Sequence, residues 1–199
     1  WQDGRGDLVY QNNQTYAQSL STLTGAHLAT GFGAVTHFYN LKNNLVPKDA
    51  VIFCTIHDYV AMKLANRNHP LIHTSDAASF GLFDLQKAAF DAAALEKAEL
   101  NSSFFPAVTA DFELLGKTEN GIPVSVAIGD NQAGFLGSVK NPKQSILLNV
   151  GTGSQISFAV PSPMAAPGME PRPFVDGGFL LVGAPLCGGR AYALLEKFF

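Results

Sequence analysis

The chain has 199 residues, 47% of them hydrophobic and 15% charged, with a formal charge of −3. That is ample material for a packed core, and it gives no basic field for nucleic acid or an anionic membrane. No apolar run approaches the roughly 20 residues needed to span a bilayer, and Cys54 and Cys187 make no disulfide framework, so reduced thiols in the cytoplasm are the expectation.

The chain opens on Trp1-Gln2-Asp3-Gly4-Arg5. A flat apolar face, a carboxylate and a guanidinium suit a polyhydroxylated ligand, although composition by itself favours a surface loop with an internal Asp–Arg pair. Tyr16, Leu20 and Leu23 keep i, i+4, i+7 spacing and predict a helix that ends at Gly25. Ile56, Val60 and Leu64 repeat that spacing in a second helix. Residues 86–100 are rich in Ala, Glu, Lys and Leu and predict a third. A polar, turn-rich stretch at 116–123 marks a boundary, with residues 1–120 mainly helical before it.

Beyond the boundary the pattern changes. A strand is predicted at 124–128, a helix from about Asn131, and strands near 145–150 and 154–160. Five prolines from Pro161 to Pro173 predict an irregular loop. Another strand follows at 178–183, then a helix from about Gly189 that buries Ala191, Leu194, Leu195 and Phe198. His27, His37, His57, His69 and His73 show no metal-ligand spacing, so no metal site is predicted and each histidine is taken as structural or superficial.

Two short motifs carry chemistry. Gly129-Asp130-Asn131 places a carboxylate where an apolar strand gives way to a helix, and Gly151-Thr152-Gly153-Ser154 joins two strands. Taken singly, an Asp there is ordinarily a helix cap and Gly-Thr-Gly an ordinary hairpin turn. Taken in order they are more specific. The carboxylate can accept a proton from a hydroxyl, and the turn's N–H groups can hold a phosphate.

Together with the opening segment, Ala29-Thr30-Gly31-Phe32-Gly33, Thr55-Ile56-His57-Asp58-Tyr59, Ser75-Asp76-Ala77-Ala78-Ser79 and the stretch from Gly183 to Gly189, these motifs resemble the FGGY carbohydrate kinases. The resemblance runs through all 199 residues and is strongest to the heptulose-phosphorylating members. It implies an α/β actin-like ATPase (ribonuclease H-like) fold. Residues 1–120 would be the later part of an N-terminal, sugar-binding domain, and residues 121–199 the start of a C-terminal, ATP-binding domain. It further implies Asp130 as catalytic base, Trp1, Asp3, Arg5 and Asn131 as sugar ligands, and Gly151, Thr152 and Gly153 as ligands of the ATP phosphates. Asp58 and Asp76 would be structural, at the starts of packed helices.

The cofactors so implied are ATP and Mg2+. The family's first phosphate hairpin, Asp-x-Gly-Thr, does not occur here. The expectation is therefore an internal fragment of a two-domain sugar kinase, without turnover by itself and with apolar surface left open on its first domain. The implied reaction is phosphorylation of a sugar primary hydroxyl, sedoheptulose to its 7-phosphate. A ketopentose kinase acting on xylulose or ribulose, and a catalytically silent sugar- or nucleotide-binding relative, are the other readings. Sugar and ATP are the expected partners, with a homodimer left open.

Overall fold

The computed structural model describes residues 3–151, 153–164, 166–184 and 188–198, with Arg190 by its backbone alone. The chain divides into two compact units, Trp1–Ala127 and Ile128–Phe199.

In the first unit a 3₁₀ turn at Gly4–Asp7 leads into the short antiparallel pair β1 (Val9–Gln11) and β2 (Gln14–Thr15). Helix α1 (Tyr16–Thr24) starts with a capping box: Thr15 Oγ1 accepts from Gln18 N–H, and Gln18 Oε1 accepts from Thr15 N–H. It stops at Gly25, whose φ of 77° is the left-handed cap the sequence calls for. α1 buries Tyr16, Ala17 and Leu20 against Ala34, Val35 and Phe38 of α2 (Gly33–Lys42). Leu23 stays outside.

Helix α3 (Ile56–Leu64) forms where expected, but turned about its axis. Ile56 is 75% exposed, and Val60 and Leu64 are exposed with it, while Asp58, Ala61 and Met62 face inward. Small residues decide this phase. Ala61 and Ala65 allow close approach to the hairpin formed later by residues 114–125, where a Cβ on Gly116 would stand 3.0 Å from the Ala65 carbonyl oxygen. The apolar stripe of α3 thus provides the open surface expected on this domain.

Strand β3 (Leu71–His73) runs directly into the short helix α4 (Thr74–Ala77). The helix predicted over 86–100 is a correction. Residues 83–90 form a hairpin, β4 (Phe83–Asp84) with β5 (Ala89–Phe90), and only Ala92–Lys97 is helical, as α5. Two features override the helix formers. Asp84 Oδ1 accepts from the N–H groups of Gln86 and Lys87, and Phe90 packs among Phe80, Phe83 and Phe105. β6 (Ala107–Thr109) pairs in parallel with β3. β7 (Leu114–Lys117) and β8 (Pro123–Ser125) form an antiparallel hairpin. The polar stretch at 116–123 closes this hairpin, and the compact units part between Ala127 and Ile128.

The second unit begins with α6 (Asp130–Ser138), followed by β9 (Ile146–Val150) and β10 (Ser154–Val160). β11 (Glu170–Pro173), β12 (Phe179–Gly183) and α7 (Gly189–Leu195) complete it. The sheet order is β11-β12-β10-β9, every pair antiparallel. β11 takes only the last four residues of the predicted proline loop: Pro171 and Pro173 sit two apart on an edge strand, where missing N–H groups break no ladder on the open side. α6 covers one face of the sheet through Phe135, which meets Phe174 edge-on at 5.6 Å and packs with Leu180 and Val182. On β9, Ile146 (68% exposed), Leu148 and Val150 point away from that core. The burial predicted for the last helix also fails, since Leu194, Leu195 and Phe198 are exposed. Helical spacing marks a face; it does not supply something to bury it. Among the described residues no helix is long and apolar enough to cross a membrane.

Candidate active site

Asp130 is the first residue of α6, directly after the N-cap Gly129. Its side chain is exposed, and Oδ1 accepts from the N–H of Asn131 at 2.7 Å. Anionic groups are stabilised at this end of a helix by the unpaired N–H groups and the macrodipole. The next two residues behave differently. Asn131 Oδ1 is buried with no hydrogen-bond partner among the described residues. Gln132 is buried, and its Nε2 donates to the Pro173 carbonyl at 2.8 Å. With Phe135 one turn further on, Gln132 pins α6 to the sheet edge, so that a rigid element carries the carboxylate. Sequence reasoning did not single out Gln132 or Phe135, although their i, i+3 spacing was available as a signal.

The glycine hairpin joins β9 to β10, with Val150 opposite Ser154. Gly151 N–H donates to the Gly153 carbonyl at 2.8 Å, closing the turn on itself. The donor at Gly151 is therefore committed inside the hairpin. Thr152 lies outside the described residues. The structure adds a second glycine pair against this turn. Gly189 N–H donates to the Gly151 carbonyl at 2.8 Å, and a Cβ on Gly188 would stand 2.4 Å from the Gly153 carbonyl carbon. No side chain fits between them, so Gly188 and Gly189 set the hairpin's backing through backbone approach alone. A Gly-Gly pair before a helix was the only sequence signal, and it named no partner.

In the first unit, Asp3 and Arg5 hold each other. Arg5 Nε donates to both Asp3 oxygens at 2.9 and 3.0 Å, and Asp3 Oδ1 also accepts from the Arg5 N–H. Arg5 Nη1 donates to Asn40 Oδ1 at 2.8 Å, and Thr36 Oγ1 donates to Asp3 Oδ2. The Arg5 guanidinium beside it lowers the Asp3 carboxyl to about 2, from an ordinary 3.8. Both side chains remain partly exposed, so the pair is a fixed rim of charge and hydrogen-bonding capacity. Trp1 lies outside the described residues.

The chain belongs to a family of carbohydrate kinases: the family model described as the FGGY family of carbohydrate kinases, N-terminal domain, matches residues 1–137. Among curated proteins it is 32% identical to sedoheptulokinase of Mus musculus and 30% identical to sedoheptulokinase of Homo sapiens. Each match covers 97% of this chain and 42% of the relative, so the chain spans less than half their length. Among solved structures, xylulose kinase from Lactobacillus acidophilus superimposes with a TM-score of 0.74 at 18% identity, covering 91% of this chain and 39% of that one. Plasmodium falciparum glycerol kinase with ADP gives 0.69 at 20% identity over 96% of this chain and 41% of its own. These structures fix the fold as the actin-like ATPase fold of the sugar kinases.

Proposed function

We propose that the protein carrying this chain is an ATP-dependent sugar kinase whose acceptor is sedoheptulose, phosphorylated at the primary hydroxyl of C7. One observation carries the reading: within a single compact unit, a carboxylate opens a helix pinned to a sheet, and a tight glycine hairpin ends two strands of that sheet. Phosphoryl transfer passes through a loose transition state, so placing the groups matters more than base strength. Asp130 accepts the proton of the attacking hydroxyl. The buried, unpartnered Oδ1 of Asn131 supports a role in accepting a hydrogen bond from a sugar hydroxyl. Asp3 and Arg5 offer further hydroxyl contacts, already fixed by their mutual bonds.

Thr152 and the Gly153 N–H contact the ATP phosphates, while Gly151 shapes the turn. Gly151 and Gly153 carbonyls accept from Gly189 and Gly151. With those oxygens committed, the hairpin suits an anion, and no residue of this chain is assigned to Mg2+, which neutralises phosphate charge when bound.

The heptulose preference is supported by the identity to the two sedoheptulokinases over nearly the whole chain. ADP release by the full-length protein with sedoheptulose, xylulose and ribulose tests it. We expect kcat/KM for sedoheptulose to exceed the others by about tenfold or more. A xylulose or ribulose preference would replace the acceptor with a ketopentose. Absence of sugar-dependent ADP release with all three would favour a silent binding relative.

A further inference from the structure

In the first unit, α3 and α4 bring together a group of side chains that the proposed phosphoryl transfer does not use. His57 Nε2 stands 2.9 Å from Asp76 Oδ2, and ligand atoms of His57, Asp58 and Asp76 all lie within 4.8 Å of one another. The two carboxylates are deep: Asp58 is 1% exposed and Asp76 3%. Thr55 Oγ1 bonds Oδ2 of Asp58, but Asp58 Oδ1 is buried with no hydrogen-bond partner. Burying two acidic side chains this close is costly unless a compensating positive group stands beside them. Among the described residues no Lys or Arg pairs with either. His57 can supply one charge at most, and only when protonated. His73, nearby in sequence, already uses Nδ1 with Ser75 and Nε2 with the Ala110 carbonyl.

We infer that His57, Asp58 and Asp76 form a binding site for a divalent first-row transition cation, of the Zn2+ or Mn2+ class. One imidazole and two carboxylates suit these ions, whereas Mg2+ and Ca2+ favour all-oxygen sets. A 2.9 Å separation between Nε2 and Oδ2 subtends about 90° at an ion with bonds of about 2.1 Å, a normal angle between neighbouring ligands of an octahedral ion. All three ligand atoms already lie within 4.8 Å of one another, so gathering them round one ion needs at most about 1–2 Å of closing. The half-exposed His57 ring also gives the ion a path from solvent and room for water ligands. The sequence hid this site because no ligand spacing links Asp76 to His57-Asp58 across 18 positions.

The test uses full-length protein, stripped with a chelator and kept free of nucleotide, titrated calorimetrically with Zn2+ and with Mn2+. We expect one ion to bind in the micromolar range and to raise Tm. His57→Ala, at an exposed position that leaves the core intact, should weaken that binding by about tenfold or more and abolish the Tm rise. Asp76→Asn should act in the same direction if it folds, and His57→Ala decides the matter if it does not. Failure of both ions to bind, or equal affinity and Tm shift in wild type and His57→Ala, overturns the inference.

Discussion

Asp58 and Asp130 each lie within the first turn of a helix, and each follows a small polar or flexible N-cap, yet the fold treats them oppositely. Thr55 caps α3, and its hydroxyl also bonds the Asp58 carboxylate, which is enclosed by the first unit; burial first, and the Asp76 charge with it, raises Asp58 to about 6 despite that bond. Gly129 provides no side-chain cap for α6, and Asp130 is left exposed with Asn131 N–H on one oxygen. A carboxylate locked into packing has no freedom to meet a substrate. One that projects from a pinned helix does. The difference lies in what packs around each helix start and not in the residue type.

The sharpest way to break this contrast is Asp130→Asn in the full-length enzyme. We expect kcat to fall by about 10²–10⁴ with sugar binding much less affected. Near-normal turnover in steady-state assays would remove Asp130 from the chemistry.

The contrast also assumes that α6 is rigid because Phe135 anchors it. Phe135→Ala, at a site with 0% exposure, should cost about 3–5 kcal/mol of stability in denaturant unfolding. A cost below 1 kcal/mol, as an order-of-magnitude threshold, would mean that the anchor is elsewhere.

The roles of hairpin and helix can be separated by Gly153→Val, which crowds the backbone where phosphate is proposed to approach. KM for ATP should rise, or kcat fall, by about an order of magnitude, with sugar affinity nearly unchanged. Collapse of sugar affinity with intact ATP kinetics would exchange the assignments.

The smallest expected effect concerns the Asp3–Arg5 pair. The folded-state value of Asp3 lies below the ordinary one, so its contribution to stability is present above about 3.8 and is lost as pH falls through about 2. Because the pair is partly exposed, Asp3→Asn should cost less than about 1 kcal/mol at neutral pH. The gap in Tm between wild type and variant should shrink from pH 7 to pH 3. A gap that stays constant over that range would show that the pair's charge contributes nothing.

Local signals in the sequence were sufficient where a few adjacent residues settle the structure. The capping box and Gly25 delimit α1, alternation and the glycine turn place β9 and β10, and Gly129-Asp130 marks the start of α6. The resemblance to the FGGY kinases rested on such segments, and family membership is read from them correctly. Elsewhere long-range contacts prevailed. Phe90 joined an aromatic cluster and drew residues 83–90 into a hairpin. Ala61 and Ala65 turned α3 away from its bulkier stripe, and β12 recruited a proline segment as its edge partner.

By itself, then, the sequence determined the family, the order of the main elements and the two motifs that carry the proposed chemistry, because each is written in contiguous residues whose backbone preferences agree. Tertiary structure alone decided which side of α3 is buried, that Gly188 and Gly189 back the glycine hairpin, and that His57 and Asp58 meet Asp76. Those outcomes depend on surfaces brought together from distant parts of the chain, where packing and the cost of burying charge outweigh local preference.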